Sequence, residues 1–147
     1  RTDADVAAIR AGLADGTIDA VATDHAPHAP HAKERTFDEA PPGMLGLETA
    51  FALTLGESGL DLPEVLAVLS WKPAAIAGIA DRHGVSLVPG APANLCVVDP
   101  DETWTVSGTA MASRSNNTPY EGETLRGRVR HTIRAGELVV VDGEAQR

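Results

Sequence analysis

The run Asp24-His25-Ala26-Pro27-His28 sets a carboxylate and an imidazole four residues apart. Before it, Ile18 to Thr23 are small or branched and read as a short strand buried on both faces. A carboxylate at a strand tip can ligate a metal and move a proton at a reacting group, and a nearby imidazole can hold an anion. An Asp that merely caps the loop fits the same pattern. His25, His28 and His31 recur every third residue, as metal ligands on one helical face would. Pro27 and Pro30 break such a helix, so His25 and His31 read as solvated loop residues. Further on, Pro42-Gly43 precedes a helix. Glycine there lets backbone N–H groups approach a ligand closely, although a plain loop-to-helix turn uses the same residues.

The elements that must position these residues alternate helix and strand through residue 80. Thr2 or Asp3 can cap a first helix with apolar positions Val6, Ile9 and Leu13, and Gly16 stops it. Residues 25–46 form a Pro- and Gly-bearing loop long enough to be functional or mobile. A second helix is expected over Leu47 to Glu57, with Leu47, Phe51 and Leu55 on one face. A third starts near Pro63 behind Asp61, with Val65, Leu66 and Leu69 inward. A fourth runs from Lys72 or Pro73 to Ala80, with Ser70 as a cap. After Gly84 the pattern becomes β-rich. Strands are expected over Ala93 to Asp99, Glu102 to Val106 and Val129 to Arg134, with a hairpin at Gly136 into Leu138 to Val141 and a stop at Asp142-Gly143. The turn-rich Asn116 to Tyr120 reads as packing one half against the other. Trp71 and Trp104 read as core or interface anchors, and His83 and His131 as structural.

Composition narrows the function classes. The 147 residues can enclose one real core, and 43% of them are apolar with few aromatics, so the core rests on Ala, Val, Leu and Ile. A formal net charge of -9 argues against nucleic acid, whose phosphates need a basic surface. No apolar run approaches the ~20 residues that span a bilayer, and no signal peptide is visible. Cys96 is the only cysteine and reads as a buried, inert thiol, which fits a reducing cytoplasm.

Four stretches together resemble the dihydroorotases of the amidohydrolase superfamily, most nearly the long bacterial type I form. They are Val21-Ala22-Thr23-Asp24-His25-Ala26-Pro27-His28, Pro42-Gly43-Met44-Leu45-Gly46-Leu47-Glu48-Thr49-Ala50, Gly90 to Asp99, and Ser115-Asn116-Asn117-Thr118-Pro119. His28 carries the specificity. Related dihydropyrimidinases usually have Phe there, and an apolar ring would leave a substrate carboxylate unpaired. The resemblance implies that Asp24 ligates the more buried metal and acts as base and then acid. It implies that His28 contacts the substrate carboxylate and that the Pro42 and Gly43 backbone meets the substrate ring. The implied reaction is the reversible opening of dihydroorotate to N-carbamoyl-aspartate, assisted by a binuclear zinc site.

This chain departs from the family where relatives carry Asn-Pro-Ala and it has Lys72-Pro73-Ala74. It departs again after His28, where His31-Ala32-Lys33-Glu34-Arg35 replaces a Glu-Glu-Lys run. It contains no His-x-His pair, and of the family's metal ligands only Asp24 can be placed. The expectation is therefore an α/β chain: residues 1–82 as the C-terminal part of a (β/α)8 barrel and residues 83–147 as strands of the flanking β-sandwich. The Arg1 start without Met agrees. The expected partners are the missing N-terminal portion of the same enzyme and further copies in a homo-oligomer, with aspartate carbamoyltransferase as a candidate; alone, the chain should be inactive. Another cyclic amidase, a hydantoinase or allantoinase, and a non-catalytic scaffold are the alternatives.

Overall fold

The computed structural model describes residues 2–84 and 86–146; Arg1, Val85 and Arg147 lie outside them. Helix α1 covers Asp3–Ala14. Thr2 caps it, accepting from the Asp5 N–H while the Asp5 carboxylate accepts from the Thr2 N–H, so two orphan donors are satisfied reciprocally. A short helix α2 spans Pro30–Lys33 inside the loop, with Pro30 in its first turn, where a missing N–H costs nothing. Helix α3 covers Ala50–Glu57 and α4 covers Leu62–Leu69, the latter with a second capping box between Asp61 and Glu64. Helix α5 covers Trp71–Ile76. A 3-10 turn at Gly108–Ala110 separates the first strand from the second.

The strands β1 (Leu95–Thr105), β2 (Thr124–Arg134), β3 (Glu137–Val141) and β4 (Glu144–Ala145) form one antiparallel sheet in chain order. The two strands expected between residues 93 and 106 are one strand with a defect. Its register shifts between Asp99 and Thr103, where the Asp99 carboxylate accepts from the Asp101 and Glu102 N–H groups and folds the chain out of the ladder. Strand β2 starts five residues earlier than expected, at Thr124. Asp142-Gly143 does not end the sheet. Both residues take positive φ, 51° and 82°, as Ala135 and Gly136 do at the preceding turn, and this left-handed pair folds the chain back into β4.

Three further expectations are corrected. Ile18 to Thr23 is not a strand; its Val21 N–H bonds the Val68 carbonyl of α4, and no ladder flanks it among the described residues. A parallel strand exists only through its neighbours, and the described residues offer none here. Helix α3 begins at Ala50 rather than Leu47, and Leu47 is 63% exposed. Helix α5 begins one residue before Lys72 and stops at Ile76, and Ser70 precedes it without a side-chain cap.

The core joins both halves. Leu13, Phe51, Leu60, Val65 and Val68 are buried together, and Val98 of β1 and Val129 of β2 pack on them. Gly127 makes this approach possible: a Cβ there would stand 2.8 Å from Leu55 Cδ2 and 3.1 Å from Phe51 Cε1. On α1 only Gly12 and Leu13 are buried. Val6 and Ile9 stay about half exposed and line an open apolar groove of about 400 Å³ with Val21 and Leu53. Cys96, expected buried, is exposed on β1, though flanking atoms still desolvate its thiol and push its pKa up. Trp71 is 44% exposed, so it is no core residue within this chain. Trp104 is anchored: its Nε1–H donates to the Gly127 carbonyl at 3.0 Å, and the Arg128 guanidinium lies 5.6 Å over its ring.

Candidate functional site

Asp24 follows the Ile18 to Thr23 segment with φ 46°, in the left-handed region that non-glycine residues seldom occupy. A short polar side chain tolerates that conformation best, which suits an Asp at this turn. Asp24 is exposed. One residue on, His25 pairs with Met44 in an isolated parallel bridge, and the Ala26 N–H donates to the Met44 carbonyl at 2.9 Å. This bridge ties the Asp24–His28 arm to the Pro42–Gly46 arm.

His25 was expected to be solvated, and the structure corrects this. Its Nδ1 accepts from the Gly46 N–H at 3.1 Å and the Leu47 N–H at 3.3 Å. Both partners are donors, so the ring holds its proton on Nε2 and staples the turn that leads into α3. His31 is exposed, as expected of a solvated loop residue. His28 Nε2 lies 2.9 Å from the Pro42 carbonyl. Gly43 follows at φ 137°, packed so closely that a Cβ would stand 2.8 Å from His28 Nε2 and from Ala26 Cβ. Asp24, His28, Pro42 and Gly43 thus belong to two arms of one small surface.

Side chains from elsewhere hold these arms. Lys33 Nζ donates to the carbonyls of Pro41 (2.9 Å) and Gly43 (3.2 Å). Asn117 Nδ2 donates to the Gly43 carbonyl at 2.8 Å, and the Leu45 N–H donates to the Asn117 carbonyl at 3.0 Å. Ser115, 5% exposed, has its hydroxyl 2.6 Å from the His28 carbonyl. Residues 115–117 do pack one half against the other, and they do so directly on the site. Lys33 and Ser115 had not been singled out as site residues. One signal was available: Pro41 and Pro42 lack N–H groups, so this run cannot be fixed by ladder bonds and needs outside donors.

A metal centre needs several ligands, and the described residues contain no cluster of three His, Cys, Asp or Glu side chains that could hold one. Asp24, exposed at the tip of its segment, fits one ligand position only.

The comparisons place the fold in a family. Residues 1–139 match the amidohydrolase family, and the chain belongs to it. A dihydroorotase of Mycobacterium leprae is 53% identical over 142 residues, covering 94% of this chain and 33% of that protein. A dihydroorotase of Mycobacterium tuberculosis is 49% identical, covering 98% of this chain and 34% of that one. The chain spans about a third of the length of the curated relatives it matches. Among solved structures, a D-hydantoinase (dihydropyrimidinase) from Thermus sp. superposes with a TM-score of 0.83 at 28% identity, over 95% of this chain and 32% of that one. An L-hydantoinase from Arthrobacter aurescens gives 0.80 at 26%, over 94% and 32%. No helix among the described residues is long and apolar enough to cross a membrane.

Proposed function

We propose that this chain is the C-terminal part of a dihydroorotase and supplies one side of its active site. The observation that carries the reading is the joining of the two arms: the His25–Met44 bridge and the His28–Pro42 contact tie the arm bearing the Asp24 carboxylate and the His28 imidazole to the Pro42–Gly46 arm. Dihydroorotate presents a ring amide to cleave and a carboxylate to recognise. Asp24 takes a proton from the attacking water as its oxygen bonds the ring carbonyl carbon. It returns that proton to the ring nitrogen as the C–N bond breaks, giving N-carbamoyl-aspartate. His28 holds the substrate carboxylate, and the Pro42-Gly43 backbone borders the ring. Zinc, when bound, would polarise the amide carbonyl and acidify water, with Asp24 as this chain's ligand to it.

In this reading residues 1–82 are the end of a (β/α)8 barrel and residues 83–147 are strands of the flanking β-sandwich. The groove beside Val6 and Ile9 then receives the preceding part of the same enzyme. The complete protein works in the cytoplasm as a homo-oligomer, with aspartate carbamoyltransferase a candidate partner.

The solved relatives favour a second reading, a hydantoinase. His28 separates the two, because an imidazole suits a carboxylate that neutral hydantoins lack. Assaying the complete enzyme with dihydroorotate and with hydantoin decides between them: turnover of dihydroorotate is expected, and a preference for hydantoin would overturn the first reading.

A further inference from the structure

We propose that Lys33 and Asn117 are positioning residues that hold the substrate-facing backbone of residues 41–43 and, through it, the His28 ring. The inference rests on the dihydroorotase reading.

Three consecutive carbonyls are each taken by a side-chain donor. Lys33 takes Pro41, His28 takes Pro42, and Lys33 and Asn117 share Gly43. Each bond fixes one peptide plane, since the peptide unit is rigid. The plane that His28 touches is therefore flanked by two planes that Lys33 and Asn117 hold. Proline supplies no N–H at 41 or 42, and glycine at 43 supplies no side chain to lodge, so these bonds do what local structure cannot. Lys33 directs its charge at two neutral carbonyls on a half-buried path, an arrangement that suits holding a loop. Asn117 is fixed in turn. Its backbone carbonyl accepts from Leu45, and its Oδ1 lies 3.0 Å from the Ser115 hydroxyl, whose single hydrogen serves the nearer His28 carbonyl. The turn at 115–117 thus touches both arms at once, and losing either donor frees the Pro42 carbonyl and the His28 ring to move together.

The test uses the complete enzyme. Asn117→Asp keeps the side chain's shape and removes the donor to Gly43, Lys33→Met removes the ammonium, and Lys33→Arg restores a donor. The first two should raise the KM for dihydroorotate about tenfold, with kcat within about threefold of wild type, the signature of lost substrate alignment rather than lost chemistry. Lys33→Arg should bring KM back to within about threefold of wild type. An unchanged KM in folded Asn117→Asp and Lys33→Met, even with lower melting temperatures, would overturn the proposal. If Asn117→Asp does not fold, the two Lys33 variants decide. Should wild type leave dihydroorotate untouched, the functional reading fails by itself. Amide exchange at Leu45 and Gly46 then decides the positioning: faster exchange in Asn117→Asp and Lys33→Met supports it, and unchanged exchange overturns it.

Discussion

His28 Nε2 reaches across fourteen residues to lie 2.9 Å from the Pro42 carbonyl. A carbonyl only accepts, so Nε2 is the donor and Nδ1 is the ring nitrogen left to face a ligand. Donating to a carboxylate from Nδ1 while keeping Pro42 requires both ring nitrogens to carry protons.

Replacing that ring by an apolar one separates recognition from chemistry. His28→Phe in the complete enzyme should raise the KM for dihydroorotate by about 10- to 100-fold, the worth of one charge-assisted hydrogen bond. Steady-state kinetics on dihydroorotate measure this, and an unaltered KM would remove His28 from substrate binding.

Asp24→Asn keeps the size of the side chain and its tolerance of φ 46° while deleting the carboxylate. We expect kcat to fall by at least about 100-fold, as for loss of a general acid–base group, with circular dichroism unchanged. Asp24→Ala should cost about 1 kcal/mol of stability in addition, because Ala resists the left-handed conformation. Equal melting temperatures for the two variants would show that the backbone cost is not felt.

Gly127 governs how the halves meet. Gly127→Ala places a methyl 2.8 Å from Leu55 Cδ2 at a residue with φ 97°. Overpacking and backbone strain together should destabilise by about 2–4 kcal/mol, read by urea denaturation of the complete enzyme. A loss within experimental error would mean that α3 can shift away from β2 freely.

The sheet carries an acid-sensitive ion-pair chain. Glu102 pairs with Arg128 (3.1 Å) and Arg130 (2.7 Å), and Arg130 also pairs with Asp142 (2.7 Å). The Arg130 hydrogen bond is the largest influence on both carboxylates, and it holds each below its ordinary pKa. Groups depressed in this way stabilise the fold above their unfolded pKa, and the contribution is lost as pH falls through the folded value. Melting temperature should therefore drop as pH falls below about 4, and Arg130→Met should flatten the drop. The same acid dependence in Arg130→Met would show that the chain contributes nothing.

The 147-residue chain by itself should neither turn over dihydroorotate nor bind a zinc pair, since its described residues hold no cluster of three His, Cys, Asp or Glu side chains. Isothermal titration with zinc tests this, and tight stoichiometric uptake of a metal pair would refute it.

Local chemistry was legible where a residue acts on its neighbours in sequence. Asp61 capped α4 and Gly136 turned the β2–β3 hairpin as their types require, because caps and turns close within a few residues. The Asp24–His28 and Pro42–Gly43 runs stood out by composition. Non-local partners were not legible. Ile18 to Thr23 has the residues of a strand, but a parallel ladder is built by its neighbours. Cys96 has an apolar setting along the chain, but exposure depends on what covers the sheet face. His25 looked like one more loop histidine until folding brought the Gly46 and Leu47 N–H groups to its Nδ1.

Sequence alone thus determined which residues could do chemistry and the order in which helices give way to strands, since both follow from side-chain type and short-range geometry. Only the tertiary structure decided that the carbonyls of Pro41, Pro42 and Gly43 are held by Lys33, His28 and Asn117. Prolines cannot complete their own hydrogen bonding. The donors to these three carbonyls came from helix α2, from the Asp24–His28 arm and, for Gly43, from a turn more than seventy residues away, and a hydrogen bond is set by distance in space rather than along the chain.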